Sequence, residues 1–388
     1  MADRQFFYNE DLDEGMTNST SQTLQFQLKF DPDPNAVYLL LGNYLLKSSS
    51  TTRVTGFLST WDGSTYNNRR VIELQPRASS TKRPVTGASI YEASANPPTQ
   101  YQWQNGLMAS STSVYASKFD ARLCALKLLA NDKYVHNVSD TTTTTTSTSY
   151  VNVDELTFTP PTAGDYLIIA SARLWGSDTG AIHSMCLDVN GSEFCEISVR
   201  PVYTLSSLSF FAIHKASFTA AEQNVRIKFK TNNAASAGRT SHWTIAALRL
   251  SDFDASDYTA DDTRSTVASA DLQTKLTLSS LTLDSNYWLV LTSAVVDMDS
   301  TSSDRRGATR IGTSAKLIDI ERPDNTAADG HKAPHSCILV NSTPTADKVN
   351  LAYSSASVTS TAGMAHARIA ALRLASVTKF IPQITFLD

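Results

Sequence analysis

The chain has 388 residues and a mass of 42.2 kDa, a length that accommodates two or three domains. Its 33 basic and 37 acidic residues leave a formal net charge of −4, which excludes a general electrostatic attraction to nucleic acid or to an anionic membrane. The conspicuous feature of the composition is its hydroxyl content, with 48 Ser and 45 Thr. This bias favours β-strands joined by polar turns.

The amino-terminal arm, residues 1–20, carries Phe6, Phe7 and Tyr8 in an otherwise polar stretch. Such a stretch cannot bury three rings by itself, so we expect the rings to dock on the first domain or to bind a partner protein. The chain has no basic segment followed by an apolar run, so no secretory signal is predicted. No window approaches the roughly 18 apolar residues of a membrane span. We therefore expect a protein that is made and assembled in a cytoplasm, without a membrane partner.

Three sequence landmarks recur in one order along the chain and indicate a threefold internal repeat. A strand ending in Leu-Lys-Leu or Leu-Arg-Leu closes each third of the chain, at 120–128, 242–250 and 366–374. An earlier apolar strand begins near a tyrosine in each copy, at Tyr38, Tyr166 and Tyr287. A third strand lies between these two, at 100–103, 225–229 and 349–353.

Each copy is predicted to be an antiparallel β-sandwich. Residues 24–30 alternate apolar and polar side chains strictly, the pattern of a strand with one face on a core and one in water. Each copy has roughly eight strand-length runs separated by turns, which favours a jelly-roll or a closely similar sandwich. In the closing strands, we expect Leu248, Leu250, Leu372 and Leu374 to fill an inner face of the sandwich.

The repeat predicts three tandem domains with an arm, two linkers and a tail. The sandwiches are placed at 21–138, 150–252 and 271–376. Linkers are placed at 139–149, which holds six consecutive threonines, and at 253–270. The second linker begins beside Asp252, Asp254 and Asp257, but the glycine and glutamate of a calcium-binding EF-hand loop are missing. The apolar tail at 377–388 is expected to pack within the chain or to be donated to a neighbouring subunit as a strand.

Two of the four cysteines flank a predicted hairpin. Asn190-Gly191 is a strong signal for a two-residue turn, and counting outwards from it places Cys186 opposite Cys195. A cross-strand disulfide is therefore geometrically conceivable, but free thiols are expected in a reducing compartment.

The sequence carries no catalytic motif, no metal-ligand pattern and no cofactor fingerprint. His331 and His335 flank a proline in a loop, so we do not assign them as a metal pair. His242 and His366 occupy equivalent repeat positions, where the first copy has Asp120, so we expect polar residues at a strand end. The acidic pairs Asp261/Asp262 and Asp297/Asp299 lie in hydroxyl-rich loops and do not by themselves predict a glycosidase.

Two tryptophans are candidates for stacking on a sugar ring. Trp61 and Trp175 both lie where a strand leaves the predicted sandwich, in the first and second copies. If they stand on loops they could bind host glycan. The alternative is that each is a half-buried residue at the rim of its sandwich.

The whole chain resembles the virion structural proteins of tailed bacteriophages, both head decoration or cement proteins and tail adhesins. The residues that carry this resemblance are the hydroxyl-rich sandwiches that close on 243–250 and 367–374. It is a resemblance of architecture without a specific motif, and it implies no site residue. It implies a non-enzymatic protein of the virion that binds a major capsid protein or another virion protein.

Several functions remain open at this stage. The leading interpretation is capsid decoration, either as a single chain with internal threefold symmetry or as a trimer of chains. The alternative is a tail protein that attaches to host glycan through Trp61 and Trp175. A free lectin-like module and an enzyme are further alternatives. Phe6, Phe7 and Tyr8 are the candidate residues for binding a virion partner.

Overall fold

The computed structural model describes residues 5–76, 78–129, 132–201, 206–278, 287–323, 332–341 and 348–374. His331 and the predicted tail at 377–388 lie outside these residues. The described chain is built from strands, with a single 3₁₀ turn at Leu250–Asp252. The all-β prediction is confirmed.

In the described ranges, twenty-seven strands fall into three groups of nine. In the first unit, β1 to β9 span Phe6–Asp11, Gly15–Thr17, Thr23–Phe30, Val37–Ser48, Val54–Trp61, Tyr66–Leu74, Lys82–Glu92, Tyr101–Ala109 and Ala116–Leu128. In the second, β10 to β18 span Tyr134–Ser139, Thr143–Thr145, Val151–Phe158, Gly164–Gly176, His183–Val189, Ser192–Val199, Ser207–Phe218, Gln223–Thr231 and Gly238–Arg249. In the third, β19 to β27 span Ser256–Asp261, Ser265–Val267, Gln273–Leu278, Tyr287–Met298, Arg305–Ile311, Ser314–Glu321, Ala333–Asn341, Val349–Ser355 and Ala362–Leu374.

Each unit folds as a jelly roll with the same strand order. One sheet, here called the inner sheet, has the order β1-β9-β4-β7 in the first unit, with β2 also paired to β9. The other sheet, the outer sheet, has the order β3-β8-β5-β6. The second and third units repeat both orders with strand numbers raised by nine and eighteen. All pairings are antiparallel, as expected for a sandwich built from alternating strands.

The three units also share their irregularities. The ninth strand of each unit carries a bulge opposite the fourth strand, and one residue in each bulge has a positive φ: Asp120 at 50°, His242 at 52° and His366 at 49°. Asp and His are among the residues that tolerate this left-handed conformation. The expectation of strand-end residues is therefore corrected, because the three residues lie inside their strands at a conserved bend of the repeat.

The pairing register corrects one of the three sequence landmarks by one residue. Tyr38 pairs with Lys127, Tyr166 with Arg249, and Trp288 with Arg373, so Trp288 and not Tyr287 is the equivalent of the two tyrosines. A slip of one residue moves every side chain to the other face of a strand. With this register, Leu39, Leu167 and Leu289 occupy one position in the repeat, and all three are fully buried.

The apolar side chains form one core inside each sandwich and a fourth core between the units. This shared core receives side chains from all three inner sheets, including Leu41, Ile169, Leu291, Phe211 and Ile338. Leu248 and Leu372 also point into the shared core, while Ala247 and Ala371 face the sandwich interiors. The sequence expectation for these leucines is corrected: they contact the other units, and the inner sheets are buried on both faces.

The contacts between units close into a ring. A residue of the sixth strand meets the start of the seventh strand of the next unit at every junction: Glu73 N donates to Ser207 Oγ at 2.9 Å, Ser198 pairs with Lys332, and Ile320 pairs with Lys82. A second set of equivalent hydrogen bonds also links each unit to the next. In it, Ser171, Ser293 and Asn43 accept from the backbone N–H groups of Ala88, Ile213 and Ile338. Because the third junction returns to the first unit, one chain has closed pseudo-threefold symmetry.

The segments predicted as an arm and as linkers contain strands that pair within the sheets. The arm contains β1 and β2, which pair with β9 of the first unit. The threonine-rich segment contains β11, and β19 and β20 lie within 253–270, each paired to the ninth strand of its own unit. These segments are therefore integral strands of the inner sheets.

Candidate interaction surface

The three aromatic rings of the arm are placed within the fold. Phe6 is fully buried in the shared core, and Phe7 is buried inside the first sandwich, where its ring stacks on Phe30 with centroids 4.9 Å apart. Tyr8 packs at the edge of the shared core and donates its hydroxyl to Glu10 at 2.7 Å. The two phenylalanine side chains therefore offer no surface to a partner in this fold.

The two candidate sugar platforms have different surroundings. Trp175 is buried at the end of β13, with the Arg173 guanidinium 4.3 Å from its ring centroid. Trp61 is half-buried at the end of β5, next to a turn that Asp62 caps by accepting from the backbone N–H of Ser64 and Thr65. Tyr66 lies across this hairpin, 63% exposed, with its ring 6.3 Å from that of Trp61. Trp61 and Tyr66 therefore form an aromatic pair in which Tyr66 is the exposed ring.

The Ser- and Thr-rich loops gather at one end of each unit, here called the hydroxyl end. It comprises the connections between the second and third, fourth and fifth, and eighth and ninth strands. Its backbone contacts repeat in each unit: Ser49 N donates to Tyr115 O, Ser177 N to Ala237 O, and Asp299 N to Thr361 O. A threefold rotation preserves height along its axis, so the three hydroxyl ends lie at the same height along it.

Many of these hydroxyls stabilise the loops themselves. Side-chain oxygens accept from the backbone N–H two residues ahead in all three units, as Ser50 does from Thr52, Ser147 from Ser149, and Ser300 from Ser302. Such turns are the usual role of Ser in tight loops. The hydroxyl-rich composition is thereby explained in part by local loop structure.

A buried charge cluster joins the third unit to the first. The Arg83 guanidinium contacts Glu321 at 2.5 Å and the Ser207 carbonyl at 3.4 Å, so it touches all three units. Arg305 is fully buried between Asp319, at 2.9 Å, and Glu321. Burial disfavours the charged form of Arg305, but the two carboxylates outweigh it and raise its pKa. Paired in this way, the cluster serves as a structural joint.

The histidines and acidic pairs lie in separate structural contacts. His335 is buried beside Asp319 and Thr309, and His366 contacts Asp262 at 2.9 Å. The other acidic residues are engaged as well: Asp297 makes two bonds to Arg264, Asp261 contacts Lys275, and Asp299 accepts from the Thr361 backbone. Within the described ranges, no three His, Cys, Asp or Glu side chains converge as metal ligands would.

The four cysteines are free thiols in the structure and all are buried. The predicted hairpin forms as expected around Asn190 and Gly191, with φ values of 51° and 88°. A bulge follows it, with Cys195 at φ 56°, and breaks the register that would oppose Cys186 and Cys195. Burial raises the pKa of Cys195 to about 11, which disfavours the thiolate.

Sequence reasoning missed Tyr66 and Arg83. Tyr66 stands five residues after Trp61 across an Asp-Gly turn, a spacing that predicts a cross-strand pair. Arg83 carries no comparable signal, because its partners Glu321 and Ser207 lie more than a hundred residues away.

Comparison with known proteins identifies no family. No family model matches the chain, and no curated protein matches it. Among the described residues no helix is long and apolar enough to cross a membrane.

Several solved structures align over most of the chain at low similarity. An archaeal virus protein described with a "triple jelly roll fold and turret assembly" is 11% identical, with 91% of this chain and 84% of that one covered and a TM-score of 0.22. A chain of Sulfolobus Turreted Icosahedral Virus is 11% identical, with 90% and 84% covered and a TM-score of 0.23. A chain of infectious bursal virus T=1 particles is 6% identical, with 96% and 79% covered and a TM-score of 0.24. Scores at this level carry no argument about function.

Proposed function

We propose that this chain is a non-enzymatic virion protein that decorates an assembled capsid shell at positions of local threefold symmetry. The observation that supports the proposal is the closed ring of three jelly rolls, joined by equivalent contacts at Glu73–Ser207, Ser198–Lys332 and Ile320–Lys82. A closed pseudo-trimer presents three similar surfaces in threefold arrangement. Its natural partner is a site that repeats the same contact three times, formed by a major capsid protein or another virion protein.

Threefold presentation makes weak contacts sufficient for stable attachment. Three linked contacts act together with an effective concentration set by the rigid spacing of the units, so avidity can exceed a single contact by about 10²- to 10⁴-fold. The shared core fixes that spacing, because side chains of all three inner sheets interlock in it. We therefore assign attachment to the surface of the three joined units. The side chains of Phe6 and Phe7 are buried and have a structural role instead.

Immunogold electron microscopy tests this proposal. Antibody raised against the recombinant chain is applied to particles from the source lysate, with antibody pre-absorbed on the pure chain as the control. Label spread over the heads is the expected result. Label confined to the tails, or absent from particles, would contradict capsid decoration.

A second candidate function is host attachment by a tail protein, and the Trp61–Tyr66 pair favours it. The exposed ring of Tyr66 and the half-buried ring of Trp61 lie side by side at the end of one hairpin, where they can stack on a pyranose ring. The double variant Trp61→Ala, Tyr66→Ala should then lose glycan or cell binding at an unchanged melting temperature. Unchanged binding would remove this candidate. Trp175→Ala is not a suitable test, because that ring is buried.

A further inference from the structure

A surface cleft of about 360 Å³ opens where the outer sheet of the third unit meets the inner sheet of the first. Lys82, Arg306 and Lys316 bring three cationic side chains to its lining, and Asp120 brings one carboxylate. Leu272 and Ile320 are among the aliphatic residues between them. The lining is therefore net cationic in a chain whose net charge is −4.

Strand pairing fixes two of the cations on one face. Ile320 pairs with Arg306 on β23 and with Lys82 on β7. Directly paired residues of antiparallel strands project to the same side, so the two cations flank Ile320. With neighbouring strands about 4.8 Å apart, their backbones lie roughly 10 Å from each other. The spacing leaves room for a ligand between the two charged groups.

Among the described residues that line the cleft, Asp120 is the single acid, so it compensates at most one of the three cations. Neither Lys82, Arg306 nor Lys316 forms an ion pair there, and Nε of Arg306 is buried without a hydrogen-bond partner. The Lys82 ammonium rests 4.0 Å from the ring centroid of Phe119. A Lys ammonium has three N–H donors, so contact with one aromatic face leaves donors for an anion.

At the other two junctions, between the second and third units and between the first and second, the cations at the equivalent positions are paired with acidic side chains. Lys332 takes the place of Lys82 at the second junction, where it contacts Glu196 at 2.6 Å. Arg69 takes the place of Lys316 at the first junction, where it contacts Asp140. Arg306 is replaced by Thr55 and Ser184, both neutral. Excess positive charge is therefore a property of this junction and does not follow from the repeat.

We propose that this cleft binds an acidic peptide segment, with carboxylates at Lys82, Arg306 and Lys316 and aliphatic side chains against Leu272 and Ile320. The lining mixes aliphatic and cationic side chains, so it selects a ligand that alternates apolar and acidic groups. A small inorganic anion has no apolar group to contact the aliphatic residues. The inference is independent of the shell proposal, because peptide binding is measured on the isolated chain.

Asp120 opposes the binding of a carboxylate. Its burial raises its pKa, yet Lys82 and Arg122 nearby favour the charged form. Asn tolerates the positive φ of 50° at this position, so Asp120→Asn removes the charge without straining the bulge. This variant should bind an acidic peptide more tightly than the natural chain.

The test uses a fluorescein-labelled hexapeptide of alternating Leu and Glu, with a Leu and Gln peptide as the neutral probe. Fluorescence anisotropy at about 50 mM salt limits screening of the charges. Saturable binding of the acidic peptide is expected. The double variant Arg306→Gln, Lys316→Gln should weaken it about tenfold, a loss of about 1.4 kcal/mol. Lys332→Gln changes the residue that takes the place of Lys82 between the second and third units, and this control variant should bind like the natural chain.

Three outcomes would overturn the proposal. They are equal binding of the neutral peptide, unchanged affinity in the double variant, and complete displacement by millimolar phosphate, which would indicate a simple oxyanion site. A double variant that fails to fold is recognised by its circular dichroism spectrum. In that case Asp120→Asn decides the matter, because weaker or equal binding by this variant contradicts the assigned position of the carboxylates.

Discussion

His242 occupies the same bulge position as Asp120 and His366, but the charged residues around it set the pKa of its side chain. Burial, together with the positive charges of Arg70, Arg173 and Arg69, lowers the pKa of His242 to about 3. An unfolded chain binds a proton at this side chain below its ordinary pKa of about 6.5, while the folded chain does not. His242 therefore removes stability as the pH falls from about 6.5 towards 3.

His242→Asn should reduce this loss. The neutral amide tolerates the φ of 52° and does not titrate. Between pH 6.5 and 4, the natural chain should lose up to about 1.4 kcal/mol more per pH unit than the variant, measured as the free energy of unfolding in urea. His366→Asn controls for replacement of the bulge residue. Identical pH dependence in His242→Asn and the natural chain would show that His242 does not carry the effect.

The two candidate tryptophans should differ in their effect on stability. Trp175→Ala removes a buried ring and its stacking on Arg173, so the free energy of unfolding should fall by about 3–5 kcal/mol. Trp61→Ala removes a half-buried ring at a hairpin end and should cost well under half of that. Urea unfolding of both variants measures the difference. Equal losses would contradict the placement of these side chains.

At the scale of secondary-structure elements, β1 makes the amino-terminal segment a strand of the first inner sheet and not a free arm. Phe6 pairs with Leu126 and lies fully buried in the shared core, so the strand is part of the folding unit. Phe6→Ala should lower the free energy of unfolding by about 3–5 kcal/mol. Leu12→Ala, just beyond the strand at a side chain that is 51% exposed, is the matched control and should change little. A similar small effect in both variants would indicate that the segment does not dock as described.

The repeat and the sandwich architecture could be predicted because strand alternation and recurring landmarks are properties of the sequence alone. The register of the third copy could not, since Tyr287 resembles Tyr38 and Tyr166 while its structural equivalent is Trp288. Parity shows that Leu248 and Ala247 face opposite sides of a strand. It does not show that a neighbouring unit covers the leucine side, because that depends on pairings between residues far apart in the chain. For the same reason the cleft at Lys82 and Arg306 could not be found from spacing.

For the whole molecule, the shared core predicts that the three units unfold together. Each inner sheet buries its second face only against the other two, so a separated unit would expose a continuous apolar surface. Differential scanning calorimetry should show one transition whose calorimetric and van't Hoff enthalpies agree. Three resolved transitions, or soluble folding of residues 132–253 expressed alone, would contradict a common core.

The central claim is that one chain provides the full threefold symmetry needed at a local threefold position of a shell. Cryo-electron microscopy of decorated particles tests it most directly, because the reconstruction gives both the location and the number of chains. We predict one three-lobed density of a single chain over each occupied threefold position of the head. Density confined to the tail, or three chains around each position, would contradict the account.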